Sequence, residues 1–434
     1  MRPLSFCHVT TFYPPYNFGG DGIGIQRLVR ALARRGHRNT VVHDVDAFEV
    51  LAKGRDPGRG VEPPGVEVIG LRSGVGPVSP LLTQQFGRPL VTGGKLARLL
   101  ARGDFDVINF HNVSLVGGPG VLALGEAVKL YMAHEHWLVC ESHVLWRHNR
   151  ELCDKRECLR CVLNFGRPPQ LWRSTGLLSR MARHVDAFIA MSEFSRDKHR
   201  EFGFKRPMEV VNYFLPDPEA DAGPSGPREA EAPPPHPRPY FLFVGRLEKI
   251  KGLDDVIPLF REFDGADLLI AGDGEYGSAL RALAGDNPRV RFLGRVPVDE
   301  LSRYYRGATA LIVPSICFET FGIILIEAFR SRTPVIARRI GPFPEIIRRA
   351  RSGELFQTKE ELLDAMRRML GDPEARSRAI TSGHAAYLEH WSESAVVPRY
   401  LDVIARAALA KDTPAHRRVR AALDLPTDPP PSQP

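Results

Sequence analysis

Apolar runs of strand length recur along this chain, each leading into a polar or glycine-rich loop and then a helical pattern, in two separate series. The first opens with "LSFCHVT", "FYPPYNFGGDGIG" and "IQRLVRALARRGH" and continues through "TVVH", "VEVIG", "DVINF", "VKLYM", "AFIAM" and "MEVVN". The second runs "YFLFVGRL", "DLLIAGDG", "RVRFLGR", "TALIVPS" and "TPVIARRIG". Strand alternating with helix predicts parallel sheets covered on both faces, so the expected fold class is α/β, with two doubly wound Rossmann-like domains. Between the series lies "PDPEADAGPSGPREAEAPPPHPRP", residues 216–239, too rich in proline and acidic residues to pack and read as a linker. Open α/β sheets bind ligands at the carboxyl ends of their strands, and two such domains facing each other are expected to form a central cleft. The motifs below are therefore read as strand-end loops.

The 434 residues suit two domains of about 200 residues each, and 43% apolar with 25% charged content is that of a globular protein. No apolar run approaches the ~18 residues of a membrane span, and "MRPLSFCHVTTF" lacks a signal-peptide core, so a cytoplasmic location is expected. The net charge of +8 comes from arginine, since lysine stands at only ten positions. It is compatible with peripheral contact to anionic lipid or with phosphorylated substrates. A compositional bias toward Arg, Ala and Pro accounts for it better, and no nucleic-acid partner is expected. Cys7 and Cys317 stand in apolar contexts as packing residues, whereas Cys140, Cys153, Cys158 and Cys161 crowd one segment.

The second series carries the sharper chemistry. In "FETFGIILIEAF" two carboxylates, Glu319 and Glu327, flank an almost wholly apolar strip. A solvated helix would repeat its charges every three or four residues, which this one does not. The expected order is strand, loop with Glu319, then a helix opening near Thr320 to Gly322. Free amides of Thr320, Phe321, Gly322 and Ile323 can then point at phosphate oxygens with the helix dipole behind them. "GRLEKIKG" delivers Arg246 and Lys251 at a strand end, a clamp suited to a diphosphate. "AGDGEYG" supplies a tight turn at Gly272.

Taken in order, "VGRLEKIKG", "LLIAGDG", "VRFLGRV", "ALIVPSICFETFGIILIEAF" and "TPVIARRIGPFPEII" resemble the retaining glycosyltransferases of family four, with the GT-B fold. The two acids match that family's E-x7-E motif. "YPPYNFGGDGIGIQRLVRALARRGH" is similar to its N-terminal glycine loop and helix, and "AFIAMSEFSRD" to its last N-domain strand. The resemblance implies that Arg246 and Lys251 hold the donor diphosphate, Glu327 accepts from the ribose hydroxyls and Glu319 faces the donor sugar. It sets Arg295 against the nucleobase, and His134, which ends the strand in "YMAHEHW", near donor sugar and acceptor; Gly19 and Gly20 let the backbone pass close to phosphate or acceptor. The chain departs from the pattern at Arg332, where a small residue usually stands.

The implied reaction moves a sugar from a nucleoside-diphosphate sugar to an acceptor hydroxyl by same-face attack, without a metal, the leaving phosphate oxygen helping to deprotonate the acceptor. The donor base, the sugar and the acceptor are left open. Two other readings share the architecture: a nonhydrolysing sugar-nucleotide epimerase, and a protein without catalysis that binds a nucleotide sugar or a partner. The expected boundaries are an N-terminal acceptor-side domain 1–215 with a cysteine-rich insert near 140–170, linker 216–239, donor domain 240–390, a helix 391–411 returning to the first domain, and a disordered tail 412–434. In the insert, "CESHVLWRHNRELCDKRECLRC" has the spacing C-x12-C-x4-C-x2-C. Its closing pair could present two sulfurs to one tetrahedral ion, which suggests a structural zinc or iron at Cys140, Cys153, Cys158 and Cys161, with His143 or His148 as substitutes. Reduced cysteines packed in a loop, or an adventitious disulfide, are the alternative.

Overall fold

The computed structural model describes residues 2–52, 54–102, 104–217 and 235–426. The chain divides into two compact units, one of Met1–Tyr213 with Val396–Pro434 and one of Phe214–Ala395. The first unit contains β1 (Ser5–Val9), β2 (Arg38–Asp44), β3 (Val66–Leu71), β4 (Val107–Phe110) and β5 (Val128–Ala133). A two-stranded hairpin follows, β6 (Trp146–Arg147) with β7 (Glu151–Leu152), then β8 (Ala187–Ala190) and β9 (Met208–Val210). Seven of these strands form one parallel sheet in the order β3-β2-β1-β4-β5-β8-β9. Every residue of β1, β4 and β5 is buried, which is why they read as continuous apolar runs and not as alternating ones.

The second unit repeats the plan with β10 (Tyr240–Val244), β11 (Asp267–Ala271), β12 (Val290–Gly294), β13 (Ala310–Val313), β14 (Val335–Arg338) and β15 (Glu354–Phe356). They too are all parallel, in the order β12-β11-β10-β13-β14-β15. β15 is absent from the sequence reading because three residues are too short to show a period. In each sheet the chain first runs outward on one side and then returns to the other. The reversal falls between β1 and β4 in the first sheet and between β10 and β13 in the second. Such switch points leave a crevice beyond the carboxyl ends of the two central strands.

Two expected boundaries need correction. The linker reading of 216–239 fails at its end, where His236 is buried and bonds Asp267 at 2.6 Å; residues 218–234 lie outside the described residues. The tail 412–434 contains a helix, Pro414–Ala422, whose Ala415, Val419 and Ala422 are buried. Thr413 caps it by accepting from the His416 amide, and Pro414 sits at its first position, a start signal present in "DTPAH". Residues 427–434 lie outside the described residues. The helix Glu393–Leu409 carries Val396, Val397, Tyr400, Val403 and Ile404 into the core. Among the described residues no helix is long and apolar enough to cross a membrane.

Arg332 stands where the backbone itself favours a small residue. The helix Ile323–Arg330 ends at Ser331, and Arg332 follows with φ 59°, the left-handed conformation that favours glycine there. Arg332→Gly is expected to stabilise the protein by about 0.5–1 kcal/mol in denaturant unfolding. A loss of stability would show that the Arg332 side chain makes contacts worth more than the strain.

Candidate functional site

The switch point of the second sheet is built from four strand-end loops laced together by their backbones. The Gly245 amide donates to Ala271 O at 3.1 Å, Leu247 to Asp273 O at 3.0 Å, Gly272 to Gly294 O at 2.7 Å and Ile316 to Ile250 O at 2.9 Å. The approach is close enough to demand glycine at three points, one of them Gly274, whose Cβ would lie 2.5 Å from Leu247 O. A Cβ on Gly272, φ 149°, would lie 1.8 Å from Gly245 O, and one on Gly252, φ 74°, 2.1 Å from Pro314 O. Gly272 thus lets neighbouring loops close on one another; Gly252 does the same and was not singled out from the sequence.

Arg246 and Lys251 follow β10, and Glu319 follows β13 across the switch point. Lys251 Nζ lies 2.5 Å from Glu319 Oε1, with about a quarter of each side chain exposed, and the Ser315 hydroxyl donates to the same oxygen at 3.4 Å. Burial alone would raise the Glu319 carboxyl, but the Lys251 charge and hydrogen bond, then Ser315 and the Arg246 charge, hold it below its ordinary value. Lys251 mirrors this: burial would lower it, and Glu319 pushes it up. The pair is therefore fully ionised near neutral pH. Arg246 bonds Glu248 at 2.9 Å and leaves 61% of its side chain exposed, so its charge reaches solvent.

Glu327 lies four residues into the helix Ile323–Arg330, where the Tyr305 hydroxyl donates to it at 3.2 Å. Tyr305, on the helix Val298–Gly307, is a partner sequence reasoning missed. The helix proper begins at Ile323 with Gly322 at its cap, φ 119°. Thr320, Phe321 and Gly322 thus form the turn before it, and of the four expected amides only that of Ile323 belongs to the first helical turn. Arg295 follows β12 and is exposed.

At the first unit's strand ends, His134 follows β5. Its Nε2 meets His111 Nδ1 at 2.8 Å and its Nδ1 meets the Tyr213 hydroxyl. His111 Nε2 in turn meets His8 Nδ1 at 3.1 Å, and His8 Nε2 meets Asn39 Oδ1 at 3.3 Å. Burial pushes His134 down to about 3 and His8 down to about 4, and His111 well below its usual value, so all three are neutral. His134 is 7% exposed, with both ring nitrogens engaged inside its own unit. His8 and His111 were not singled out, although a histidine inside an all-apolar strand run was the available signal.

Gly19 has an extended backbone, φ −143°, which any residue adopts, and Gly20 begins the helix Gly20–Arg34. The positions that need glycine are Gly22 and Gly24. A Cβ at Gly22 would lie 2.3 Å from the Asn17 side chain, and one at Gly24 2.3 Å from the Tyr213 ring. The glycine helix thereby rests on the tyrosine that bonds His134.

The metal expectation is not supported. Cys140, Cys153, Cys158 and Cys161 line one pocket as free thiols, yet among the described residues no three His, Cys, Asp or Glu side chains are arranged to hold an ion. Five of the six expected ligands are engaged elsewhere. Cys140 Sγ contacts Ser142 Oγ at 3.3 Å, Cys153 donates to Lys155 O at 3.4 Å, and Cys161 accepts from the His148 amide at 3.2 Å. His143 bonds Glu135 at 2.8 Å and His148 bonds Glu157 at 2.7 Å. Burial, then the other thiols, push Cys153 up to about 11, so it is not a thiolate. The four cysteines are free thiols, one of them buried and three partly exposed.

Two Rossmann-like parallel sheets in one chain make the GT-B architecture that solved glycosyltransferase structures share. The family described as Glycosyltransferase Family 4 matches residues 18–214 and Glycosyl transferases group 1 matches residues 228–385. The chain thus carries a Glycosyltransferase Family 4 domain followed by a Glycosyl transferases group 1 domain, and it is a transferase enzyme. An uncharacterized glycosyltransferase of Methanocaldococcus jannaschii is 38% identical over 119 residues, which span 26% of this chain and 30% of that relative. D-inositol 3-phosphate glycosyltransferase 1 of Catenulispora acidiphila is 26% identical over 405 residues, 89% of this chain and 91% of that relative. The crystal structure of Anabaena Alr3699/HepE in complex with UDP matches with a TM-score of 0.61 at 16% identity, covering 92% of this chain and 99% of that one.

Proposed function

We propose that the protein transfers a sugar from a nucleoside-diphosphate sugar to an acceptor hydroxyl with retention of configuration, without requiring a metal ion. The observation that carries this reading is the Lys251–Glu319 pair beside exposed Arg246 at the second sheet's switch point. A diphosphate arriving there competes with Glu319 for Lys251. As the ammonium moves to phosphate, the freed Glu319 oxygens accept from sugar hydroxyls, so one exchange recognises both halves of the donor. The bond from the anomeric carbon to phosphate then breaks, the acceptor oxygen bonds that carbon on the same face, and the acceptor proton passes to the leaving phosphate oxygen. Arg246 and Lys251 meet the charge that grows on phosphate, preorganised and without solvent rearrangement. In this reading Glu327 accepts from the ribose hydroxyls, Arg295 borders the base, and Gly272 and the turn Thr320–Ile323 shape the phosphate site. His134 is neutral, and it lines the sugar's side without acting as a base. The UDP bound by the structural neighbour supports a nucleotide donor.

Melting the protein with UDP, GDP, ADP and TDP in turn tests the donor class. Saturation at a hundredfold over Kd adds about 2.7 kcal/mol, a rise of roughly 5–10 °C in Tm for a domain of this size. At least one nucleotide should give it, and a flat response to all four would overturn the reading. Glu327→Gln exchanges a charge-assisted hydrogen bond for a neutral one and should raise donor KM more than tenfold, about 1.4 kcal/mol or more, with the fold intact. An unchanged donor KM would remove Glu327 from the site.

A further inference from the structure

Four hydrogen bonds run from Asn39 through His8, His111 and His134 to Tyr213, and their direction can be worked out from one end. The Asn39 amide is oriented by its own Nδ2, which donates to His37 O at 3.1 Å and turns Oδ1 toward His8. A carbonyl oxygen only accepts, so His8 carries its proton on Nε2 and presents a bare Nδ1. A neutral imidazole has one proton. His111 must therefore donate from Nε2 to His8, and His134 from Nε2 to His111. His134 Nδ1 is then bare, and the Tyr213 hydroxyl donates to it. The rings stack as well, with centroids 5.4 Å apart for His8–His111 and 5.1 Å for His111–His134. Asn39, His8, His111 and His134 are all buried, His8 and His111 completely.

We propose that Asn39, His8 and His111 are positioning residues that lock His134 in its Nε2–H form and orient the Tyr213 hydroxyl toward its Nδ1, fixing the strand-end surface offered to the sugar. The inference rests on the reading of His134 as part of the sugar site, but the tautomer can be measured on its own. A neutral imidazole in water populates both tautomers. Here the choice is made three residues away, at the opposite end of the line. Each bond polarises the next, so the line holds together better than its separate pairs. Gly24, which leaves room for Tyr213, ties the same line to the glycine helix.

The test is the 15N spectrum of the full-length protein labelled at histidine, at neutral pH, with signals assigned by loss in His8→Asn, His111→Asn and His134→Asn. His8, His111 and His134 should each show a protonated Nε2 and a bare Nδ1. A protonated Nδ1 on His111 or His134, or averaging between forms, overturns the proposal in the unmodified protein, whether or not sugar transfer is observed. Asn39→Leu removes the acceptor and should let His134 sample both tautomers, lowering kcat about three- to tenfold at unchanged donor KM. Asn39→Asp keeps an acceptor oxygen and should retain the wild-type tautomer and most of kcat. Equal losses in both variants, or a changed tautomer with unchanged kcat, would reduce the line to packing and overturn its positioning role.

Discussion

Lys251→Ala is expected to lower kcat by about 10²–10³-fold, the cost of removing one preorganised partner of a developing anion. The substitution also strands Glu319. Its carboxyl is held down against burial first by the Lys251 charge, so without that charge it should protonate more readily and the second domain should lose stability. A double substitution separates the two effects. Adding Glu319→Gln removes the unpaired carboxylate and should restore the melting temperature, because replacing both members of a buried pair costs far less than breaking it. It should not restore kcat. Arg246→Ala should lower kcat as well, by less, since that side chain is mostly solvated. Wild-type kcat in both Lys251→Ala and Arg246→Ala would mean that the phosphate is held elsewhere.

Mild acid is expected to unfold the first unit before the second. Burial pushes His8, His43 and His199 down to about 4 and His134 down to about 3, and His111 and His136 well below the usual range. All six belong to the first unit. Their folded-state pKa lies below the unfolded value of about 6.5. Between those values the unfolded chain binds protons that the folded one refuses, so stability is complete above pH 6.5 and falls as pH drops toward 4. At pH 5 each of the four with a stated value costs about 2 kcal/mol, about 8 kcal/mol together. Asp44 acts in the opposite sense: burial raises it to about 7, so by pH 5 roughly 3 kcal/mol of its cost is relieved. The net loss of about 5 kcal/mol is comparable with the whole stability of many domains. Hydrogen exchange read by peptide between pH 7 and 4.5 should show protection lost across β1–β9 and kept across β10–β15. Protection of the first sheet at pH 4.5 equal to that at pH 7 would contradict the neutral-histidine account.

Most of the fold was legible because parallel strands buried on both faces write themselves as unbroken apolar runs. "YFLFV", "DLLIA" and "ALIV" are such runs, and each is a strand of the second sheet. The reading lost the chain where the signal was local and brief. β15 is three residues, and the helix Pro414–Ala422 announces itself mainly by its Thr-Pro start. At the site, the residue types that carry charge were visible from order and spacing, but their partners were not. Tyr305 comes to Glu327 from twenty-two positions upstream, and Ser315 looks like a plain strand-end residue. The histidine line joins residues 8, 39, 111, 134 and 213, which only the sheet order brings together. The cysteine spacing misled for the converse reason, since closeness in sequence did not arrange the thiols as ligands.

The first unit is discontinuous, and that governs the order in which the parts can mature during synthesis. Residues 1–213 supply every strand of its sheet, yet buried Asp186 awaits Lys411 and His416, Asn109 awaits Tyr400, and Asp106, already beside Arg2, gains Arg418. The unit Phe214–Ala395 is one uninterrupted stretch and needs no later segment to close its six-stranded sheet. Domains ordinarily complete themselves in the order they are made. Here the part translated second can be finished first, and the opening half must wait on the ribosome, with its polar core partners missing, until the helices beyond residue 395 emerge.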